Sequence, residues 1–323
     1  MEFFRSVNID WLGKKWFFLG FSLIFSVAGI ASMGMHWAKI GSPVPLGIDF
    51  RGGTEVQVKF QNTPDVAAIR SALTESGIKD ASVVIYDVPS SNQVLVSLPE
   101  QQNESSLDSG RQVIVNALAS HYANPFDQKT GIKVDVVGPT VGKQLEEQAL
   151  KATLLSMAGM LVYLWFRFQL IYGIAAVVAC FHDTLITVGA FALTGQEISL
   201  TVIAAILTLV GYSMNDTIVV FDRIRENLRM SRKETLPDVV NRSINQTLSR
   251  TVLTSGLTFI TVLSLYIFGG QVLKGFSFAL VIGILIGTYS SIAVAAPMLV
   301  AWQQWRGDKA GNASLPAARR PKV

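Results

Sequence analysis

The sequence predicts an α-helical polytopic membrane protein with six transmembrane helices and one α+β, ferredoxin-like (βαββαβ) domain between helices 1 and 2. Half of the 323 residues are hydrophobic and only 15% are charged, against roughly 25% in soluble domains. The charged residues are concentrated in a few segments, with long apolar stretches between them. This composition excludes a single soluble domain, a disordered chain and a collagen-like fibre.

Six apolar stretches are long enough to cross a bilayer, which takes about 20 residues of α-helix. They run over residues 16–37, 150–168, 170–193, 198–221, 252–268 and 276–302. The first stretch is too long for the apolar region of a signal peptide, so we interpret it as a retained anchor. The other five form one transmembrane region at residues 149–302.

Basic residues predict the orientation, because cytoplasmic connections carry an excess of Lys and Arg. They are concentrated in the N-terminal segment 1–15, in a predicted loop at 222–250 and in the C-terminal tail 303–323, whereas residues 194–197 contain none. Both termini and the basic loop are therefore expected in the cytoplasm, and residues 38–148 on the far side of the membrane. The net charge of +4 is modest and gives no case for nucleic acid as a partner.

Residues 38–148 have the pattern of a folded domain. Alternating apolar residues and turn signals predict strands at 54–60, 82–88, 93–98 and 132–137. Thr63 as a cap and Pro64 at the first helical position predict a helix that Gly77 ends, and a second helix is predicted at 106–122. The order β-α-β-β-α-β is the split βαβ arrangement of ferredoxin-like domains.

Two carboxylates lie inside predicted spans, where a charge costs about 2.5–3.5 kcal/mol and usually has a function. Asp183 follows His182 near the middle of the third span, and Asp216 follows Asn215 in the fourth. For His182-Asp183, two interpretations are equally good: a functional role, or a buried histidine that only bonds to a neighbouring span. The two aspartates could form an intramembrane aspartyl-protease dyad only if they touched and shared a proton. We expect Asp216 to lie closer to the cytoplasm, which disfavours the dyad.

Asp216 has a candidate partner on the next span. Ser213, Asp216 and Thr217 share one helical face, and Arg250 and Thr254 lie at the start of the fifth span. Because the fourth span descends to the cytoplasm and the fifth rises from it, Asp216 and Arg250 should lie at similar depth. They are then close enough to pair if the helices are adjacent, and movement of the guanidinium would load or release a proton. The alternative is an ion pair that only anchors helix packing.

One glycine-rich motif lies outside the spans, at Gly47-Ile48-Asp49-Phe50-Arg51-Gly52-Gly53. It lacks the preceding strand, the following helix and the Lys-Ser/Thr of a phosphate-binding P-loop. A turn that feeds the first strand is the better interpretation, with glycine supplying unusual dihedral angles. Within the sixth span Gly283 and Gly287 predict close helix packing. A single cysteine, Cys180, and the lack of a Cys/His cluster argue against a disulfide or a zinc site, and no cofactor is expected.

Several of these motifs resemble those of SecF proteins in the SecD/SecF family, which assists the bacterial Sec protein-export machinery. The most specific is the run Gly-Tyr-Ser-Met-Asn-Asp-Thr-Ile-Val-Val-Phe-Asp-Arg-Ile-Arg-Glu-Asn at residues 211–227, followed by Arg-Thr-Val-Leu-Thr-Ser at 250–255. The segments 47–54 and 137–142 and the pair His182-Asp183 also match. The resemblance extends from the first span to the sixth.

This resemblance implies a member of the RND superfamily that pairs with SecD and associates with the SecYEG channel, and often with YajC. It implies that proton flow draws a preprotein outward after SecA has pushed it in, with Asp216 and Arg250 implicated in proton movement. The implied location is the bacterial inner membrane, with the domain at 38–148 in the periplasm. We expect a transport subunit, not an enzyme; a non-conducting scaffold for the channel is the alternative.

Overall fold

The computed structural model describes residues 8–78, 81–86, 91–99, 107–127, 131–168, 170–231 and 234–310. In chain order its elements are α1 (Lys15–Ile40), α2 (Ile48–Arg51), β1 (Gly53–Lys59), α3 (Val66–Glu75), β2 (Ser82–Tyr86), β3 (Gln93–Pro99), α4 (Leu107–His121), β4 (Ile132–Val137), α5 (Pro139–Arg167), α6 (Leu170–Thr194), α7 (Leu200–Met230), α8 (Leu236–Phe268), α9 (Gly270–Ser290) and α10 (Ala296–Ala310). A π-helical turn, Ser291–Ala295, joins α9 to α10. Within the described residues six helical stretches are long and apolar enough to cross a membrane: α1, α5, α6, α7, α8 and the continuous run from α9 into α10. The predicted number of spans is thus confirmed.

The prediction of a basic loop at residues 222–250 is wrong, because most of this connection is helical. Helix α7 continues to Met230 and α8 begins at Leu236. The buried side chain of Asn227 donates hydrogen bonds of 2.8 Å to Ser243 Oγ and to Gln246 Oε1 across this helical hairpin. Hydropathy marks where the apolar stretch ends, but hydrogen bonds between the two helices let them continue beyond it.

Residues 53–137, here called the sheet domain, form a four-stranded antiparallel sheet in the order β2-β3-β1-β4. Helices α3 and α4 cover one face, and the buried core consists chiefly of Val56, Val58, Val94, Val96, Ile69, Leu73, Ile114 and Leu118. The chain order of strands and helices is the predicted β-α-β-β-α-β. The ferredoxin-like assignment remains a prediction that rests on this order.

The first helix of the sheet domain begins later than predicted. Asp65, and not Thr63, caps α3, because its Oδ1 accepts hydrogen bonds from the amides of Ala67 (2.8 Å) and Ala68 (3.3 Å). A side-chain oxygen at this position satisfies amides that have no partner inside the helix. The ends predicted for the second strand, at residues 87–88, and for the second helix, at residue 106, lie outside the described residues.

An N-terminal segment at residues 8–13 is held against α8, at the end of the bundle away from the sheet domain. Asn245 Oδ1 accepts hydrogen bonds from the amide of Ile9 (3.2 Å) and from Trp11 Nε1 (3.1 Å), and its Nδ2 donates to the Ile9 carbonyl at 2.9 Å. Asn241, one turn earlier, donates to Asp10 Oδ1 at 2.6 Å. Hydrogen bonds from the Gly13 amide and from Asn241 lower the pKa of Asp10.

Helix α1 packs closely on α6 at a pair of glycines. A Cβ atom on Gly29 would lie 3.0 Å from the Gly189 Cα, and a Cβ on Gly189 would lie 2.8 Å from the Gly29 Cα. The predicted glycine pair of the sixth span also packs closely, since a Cβ on Gly283 would overlap the Leu209 side chain and one on Gly287 would lie 3.0 Å from the Ser213 Cβ. These contacts bring α1, α6, α7 and α9 together around the polar residues described next.

Candidate functional site

Asp216 lies in the interior of the bundle, between α7 and α8. Its side chain is 3% exposed, and its Oδ2 accepts a hydrogen bond of 2.8 Å from the Ser255 hydroxyl on α8. Hydrogen-bonding residues on facing helices are a common way to hold a polar group inside a membrane bundle. The fourth and fifth spans are therefore adjacent, and Asp216 lies at the contact between them.

Asp216 and Arg250, which were expected to be close enough to pair if these helices are adjacent, form no ion pair in the described structure. Arg250 is exposed on the surface of α8, near enough to act electrostatically on Asp216 but outside the distance of an ion pair. Ser255 lies five positions after Arg250, which is about 7.5 Å along a helix and roughly 140° around it. Because Ser255 occupies the buried face opposite Asp216, the guanidinium of Arg250 lies on a different face. The two groups are neighbours without direct contact.

Asp183 is the centre of a second buried polar cluster. It is 1% exposed, and its Oδ2 accepts hydrogen bonds from Ser213 on α7 (2.5 Å) and from Ser290 on α9 (2.8 Å). His182 Nδ1 lies 3.0 Å from Asp183 Oδ1, and His182 Nε2 contacts the Ser22 hydroxyl on α1. Four helices therefore meet at the pair His182-Asp183, which favours the view that these two residues join neighbouring spans.

The polar stripe predicted on α7 is buried as expected but serves three different contacts. Ser213 donates to Asp183, Asp216 accepts from Ser255, and Thr217 Oγ1 lies 2.9 Å from Ser291 Oγ. Ser291 is the first residue of the π-helical turn, a feature that is frequent at functional sites. The three side chains thus connect α7 to α6, α8 and the end of α9.

Two of the predicted supporting residues do not join these clusters. Asn215 is exposed on α7, and within the described structure it has no hydrogen bond. Thr254 is exposed on α8, and its hydroxyl donates to the carbonyls of Arg250 (3.0 Å) and Thr251 (3.1 Å) in its own helix. Together with Arg250 they place polar groups on the outer surface of the α7–α8 pair.

Four serines at these contacts were not predicted: Ser255 and Ser290, which donate to Asp216 and Asp183, and Ser22 and Ser291, which contact His182 and Thr217. Ser291 lies four residues after Gly287, which itself lies four residues after Gly283, so the helical face that carries the glycine pair could have pointed to it. Ser255 and Ser22 had no such signal, since an isolated serine is common inside a membrane helix. Among the described residues, no group of three or more His, Cys, Asp and Glu side chains is arranged to hold a metal ion.

The glycine-rich motif forms a joint between the sheet domain and the bundle. It contains the helical turn α2 and leads into β1 through Gly52 (φ +77°) and Gly53 (φ +144°), values that favour glycine. The predicted turn before the first strand is thus observed. Its docking on the bundle was not predicted: the Gly47 amide donates to the Ile198 carbonyl at 2.9 Å, and Asp49 Oδ2 accepts from the Leu200 amide at 2.8 Å.

The fold and these clusters define a multi-pass membrane protein with carboxylates held between its helices. Residues 117–305 match the family described as "Protein export membrane protein SecD/SecF, C-terminal", and residues 40–64 match the "SecD/SecF GG Motif". The chain belongs to the SecD/SecF family of protein-export membrane proteins.

Curated relatives cover nearly the whole chain. It is 53% identical to "Protein translocase subunit SecF" of Koribacter versatilis, with 98% of this chain and 96% of the relative aligned. It is 42% identical to the protein of the same name from Desulfurispirillum indicum, with 93% of each chain aligned.

Solved structures of SecDF share the architecture. The crystal structure of SecDF, a translocon-associated membrane protein from Thermus thermophilus, is 35% identical with a TM-score of 0.78 over 94% of this chain. SecDF in the super-membrane-facing form is 34% identical with a TM-score of 0.68 over 96% of this chain. The present chain spans only 40% of either SecDF chain. Both the recognition of the family from sequence and the six-span architecture are confirmed.

Proposed function

We propose that this protein is the SecF subunit of a complex with SecD in the bacterial inner membrane, with both termini in the cytoplasm. The complex uses the proton-motive force to assist translocation of preproteins that SecA delivers through SecYEG, with YajC as a further associated protein. Asp216 and Arg250 form the proton-responsive pair, and the sheet domain, in the periplasm, acts on the emerging chain. The names of the curated relatives and the SecDF structures support a translocase role.

The observation that carries the proposal is the position of Asp216. Its carboxylate is buried where α7 meets α8, with one hydrogen bond from Ser255 and the exposed Arg250 nearby but unpaired. A carboxylate responds to the distance of a nearby positive charge by binding or releasing a proton. Because the guanidinium is not tied to Asp216 by a direct bond, a small helix movement can change that distance. A permanent structural ion pair would not respond in this way.

The exposed surface of α7 between residues 201 and 215 supports a second membrane subunit as partner. Between residues 201 and 215 of α7 the exposed positions are occupied by small or polar residues, namely Thr201, Ala204, Thr208, Gly211 and Asn215. By contrast α1 and α5 expose large apolar side chains such as Phe17 and Phe166, which are 74% and 86% exposed. Small and polar residues are typical of contacts between membrane helices, whereas large apolar ones suit lipid. The SecD subunit is the partner that this surface fits.

The test is translocation into inverted inner-membrane vesicles that contain Asp216→Asn or Arg250→Ala together with SecD. Both variants are expected to lose the proton-dependent late phase of translocation while they still insert and assemble. Asp222→Asn is the matched control, because Asp222 is an exposed carboxylate on the same helix. Its Oδ1 lies 3.7 Å from Nη2 of Arg167. Proton release measured with a pH-sensitive dye, with and without Na⁺, distinguishes H⁺ from Na⁺ as the coupling ion.

Unchanged late-phase kinetics in a folded Asp216→Asn variant would overturn the proton mechanism and favour a scaffold that only stabilises the Sec channel. The protease alternative receives no support from the geometry, since Asp183 and Asp216 have separate hydrogen-bond partners and no bond joins them. An aspartyl dyad requires two carboxylates that share a proton.

A further inference from the structure

Asp49 lies in the turn α2, just before the sheet domain, and contacts the bundle at a residue 151 positions later in the sequence. Its Oδ2 accepts a hydrogen bond of 2.8 Å from the backbone amide of Leu200, the first residue of α7. Amides in the first turn of a helix have no partner inside the helix. A carboxylate from outside the helix therefore satisfies an amide at the start of α7 that has no partner inside the helix.

The same place is held by two backbone hydrogen bonds. The Gly47 amide donates to the Ile198 carbonyl at 2.9 Å, and the Ile198 amide donates to the Pro45 carbonyl at 2.8 Å. The start of α5 packs on the other side, since a Cβ atom on Gly142 would lie 2.6 Å from the Phe50 carbonyl oxygen. The turn α2 is thus held between α5 and the start of α7, and no flexible linker separates these parts.

Helix α7 does not need Asp49 for ordinary capping. Its own cap, Ser199, accepts a hydrogen bond from the Val202 amide at 3.4 Å. Removing Ser199 Oγ would weaken the end of α7 locally, whereas removing the Asp49 carboxylate would cut a link between two parts of the protein. Substitution of Ser199 therefore tests the effect of losing the helix cap, and substitution of Asp49 tests the effect of losing the link between α2 and α7.

We propose that Asp49 is the positioning residue through which α7 and the sheet domain move together. Helix α7 carries Asp216, and a continuous helix transmits an axial displacement along its length. The turn α2, which Asp49 ties to α7, is joined to the first strand of the sheet domain, β1, by Gly52 alone. A shift of α7 that follows protonation is then passed to the sheet domain through Asp49. This inference rests on the proposed function for its physiological meaning, but the coupling itself is a separate structural statement.

The experiment measures the distance between the sheet domain and the bundle in the full chain, co-expressed with SecD and reconstituted in lipid. Spin labels are attached at Arg70→Cys on α3 and Leu193→Cys on α6, both exposed positions, in a Cys180→Ala background. In the parent protein one distance should dominate. Asp49→Ala should raise the ratio of displaced to docked molecules about fivefold or more, the effect of losing one such hydrogen bond. Ser199→Ala should leave that ratio within about twofold.

Asp49→Asn should behave like the parent protein, because its side-chain carbonyl also accepts a hydrogen bond. An unchanged distance in Asp49→Ala, or an equal change in Ser199→Ala, would overturn the coupling. The distance measurement does not depend on transport. If Asp216→Asn is neutral in translocation while Asp49→Ala still displaces the sheet domain, the proposed function fails and the coupling stands. If Asp216→Asn abolishes the late phase but Asp49→Ala leaves the distance unchanged, only the coupling fails.

Discussion

The Ser255 hydroxyl on α8 donates a hydrogen bond of 2.8 Å to the Asp216 carboxylate on α7. This bond, and not an ion pair with Arg250, joins the two helices at the candidate proton site. It leaves Arg250 exposed and free of a direct bond to the carboxylate. The arrangement separates two tasks, since the serine holds the carboxylate in place while the guanidinium acts on it through space.

Ser255→Ala should therefore slow the proton-dependent late phase of translocation. A hydrogen bond to a charged group contributes about 1.5–3 kcal/mol, and a loss of that size changes an equilibrium about tenfold or more. The measurement is late-phase translocation into vesicles. Ser264→Ala is the control, because the Ser264 hydroxyl bonds only to its own helix, at the Ile260 carbonyl. Equal rates in the two variants would show that Ser255 has no part in the site.

Gly189→Ala should destabilise the contact between α1 and α6. The added Cβ would lie 2.8 Å from the Gly29 Cα, so the helices must separate, and overpacking of this kind costs about 1–3 kcal/mol. Gly34→Ala on α1 is the control, since a Cβ there meets nothing within 4 Å. The check is the free energy of unfolding in detergent, measured by denaturant titration. A destabilisation of the same size in both variants would contradict the packing argument.

Glu55 should make the stability of the sheet domain depend on pH. Burial raises the pKa of Glu55, and the nearby Asp135, Asp49 and Glu197 raise it further, although a hydrogen bond from Ser97 acts in the opposite direction. The folded domain therefore holds this proton more tightly than the unfolded chain, so the contribution of Glu55 becomes less favourable as pH rises from the unfolded value through the folded one.

Glu55→Gln removes that titration. The variant should be more stable than the parent protein at pH 7, and the difference should disappear below about pH 4, where glutamate is protonated in both states. Denaturation of the full chain, followed by a probe in the sheet domain at several pH values, provides the check. Glu146→Gln, at an exposed glutamate of α5, is the control. A difference that is independent of pH would refute the role of the Glu55 proton.

Gly211→Leu should impair association with SecD. Gly211 is exposed on the small and polar surface of α7, and a Cβ there meets nothing within 4 Å, so the position is open on the surface of this chain. A bulky side chain would prevent the close approach that small residues allow between membrane helices. Co-purification with tagged SecD should fall several-fold. Gly159→Leu, at an equally open glycine on α5, should leave it unchanged; equal losses would place the contact elsewhere.

Much of the fold could be predicted because each prediction depended on local chemistry. The length of an apolar stretch decides whether a segment can cross a bilayer, so all six spans were found. Alternation in segments such as Val56-Gln57-Val58 identifies strands without knowledge of their partners. Errors arose at the ends of elements, as at Asp65 and at the hairpin near Asn227, where a hydrogen bond between side chain and backbone or between two helices decides the outcome.

The sequence by itself determined the six spans, the strand order along the chain, the family and the buried carboxylates Asp183 and Asp216, because hydropathy, periodicity and motifs are properties of neighbouring residues. Tertiary structure alone decided which group each carboxylate contacts. Asp183 meets serines from α7 and α9, and Asp216 meets Ser255 in place of Arg250. The rotation of one helix against another selects those partners, and that rotation depends on the packing of side chains distant in sequence.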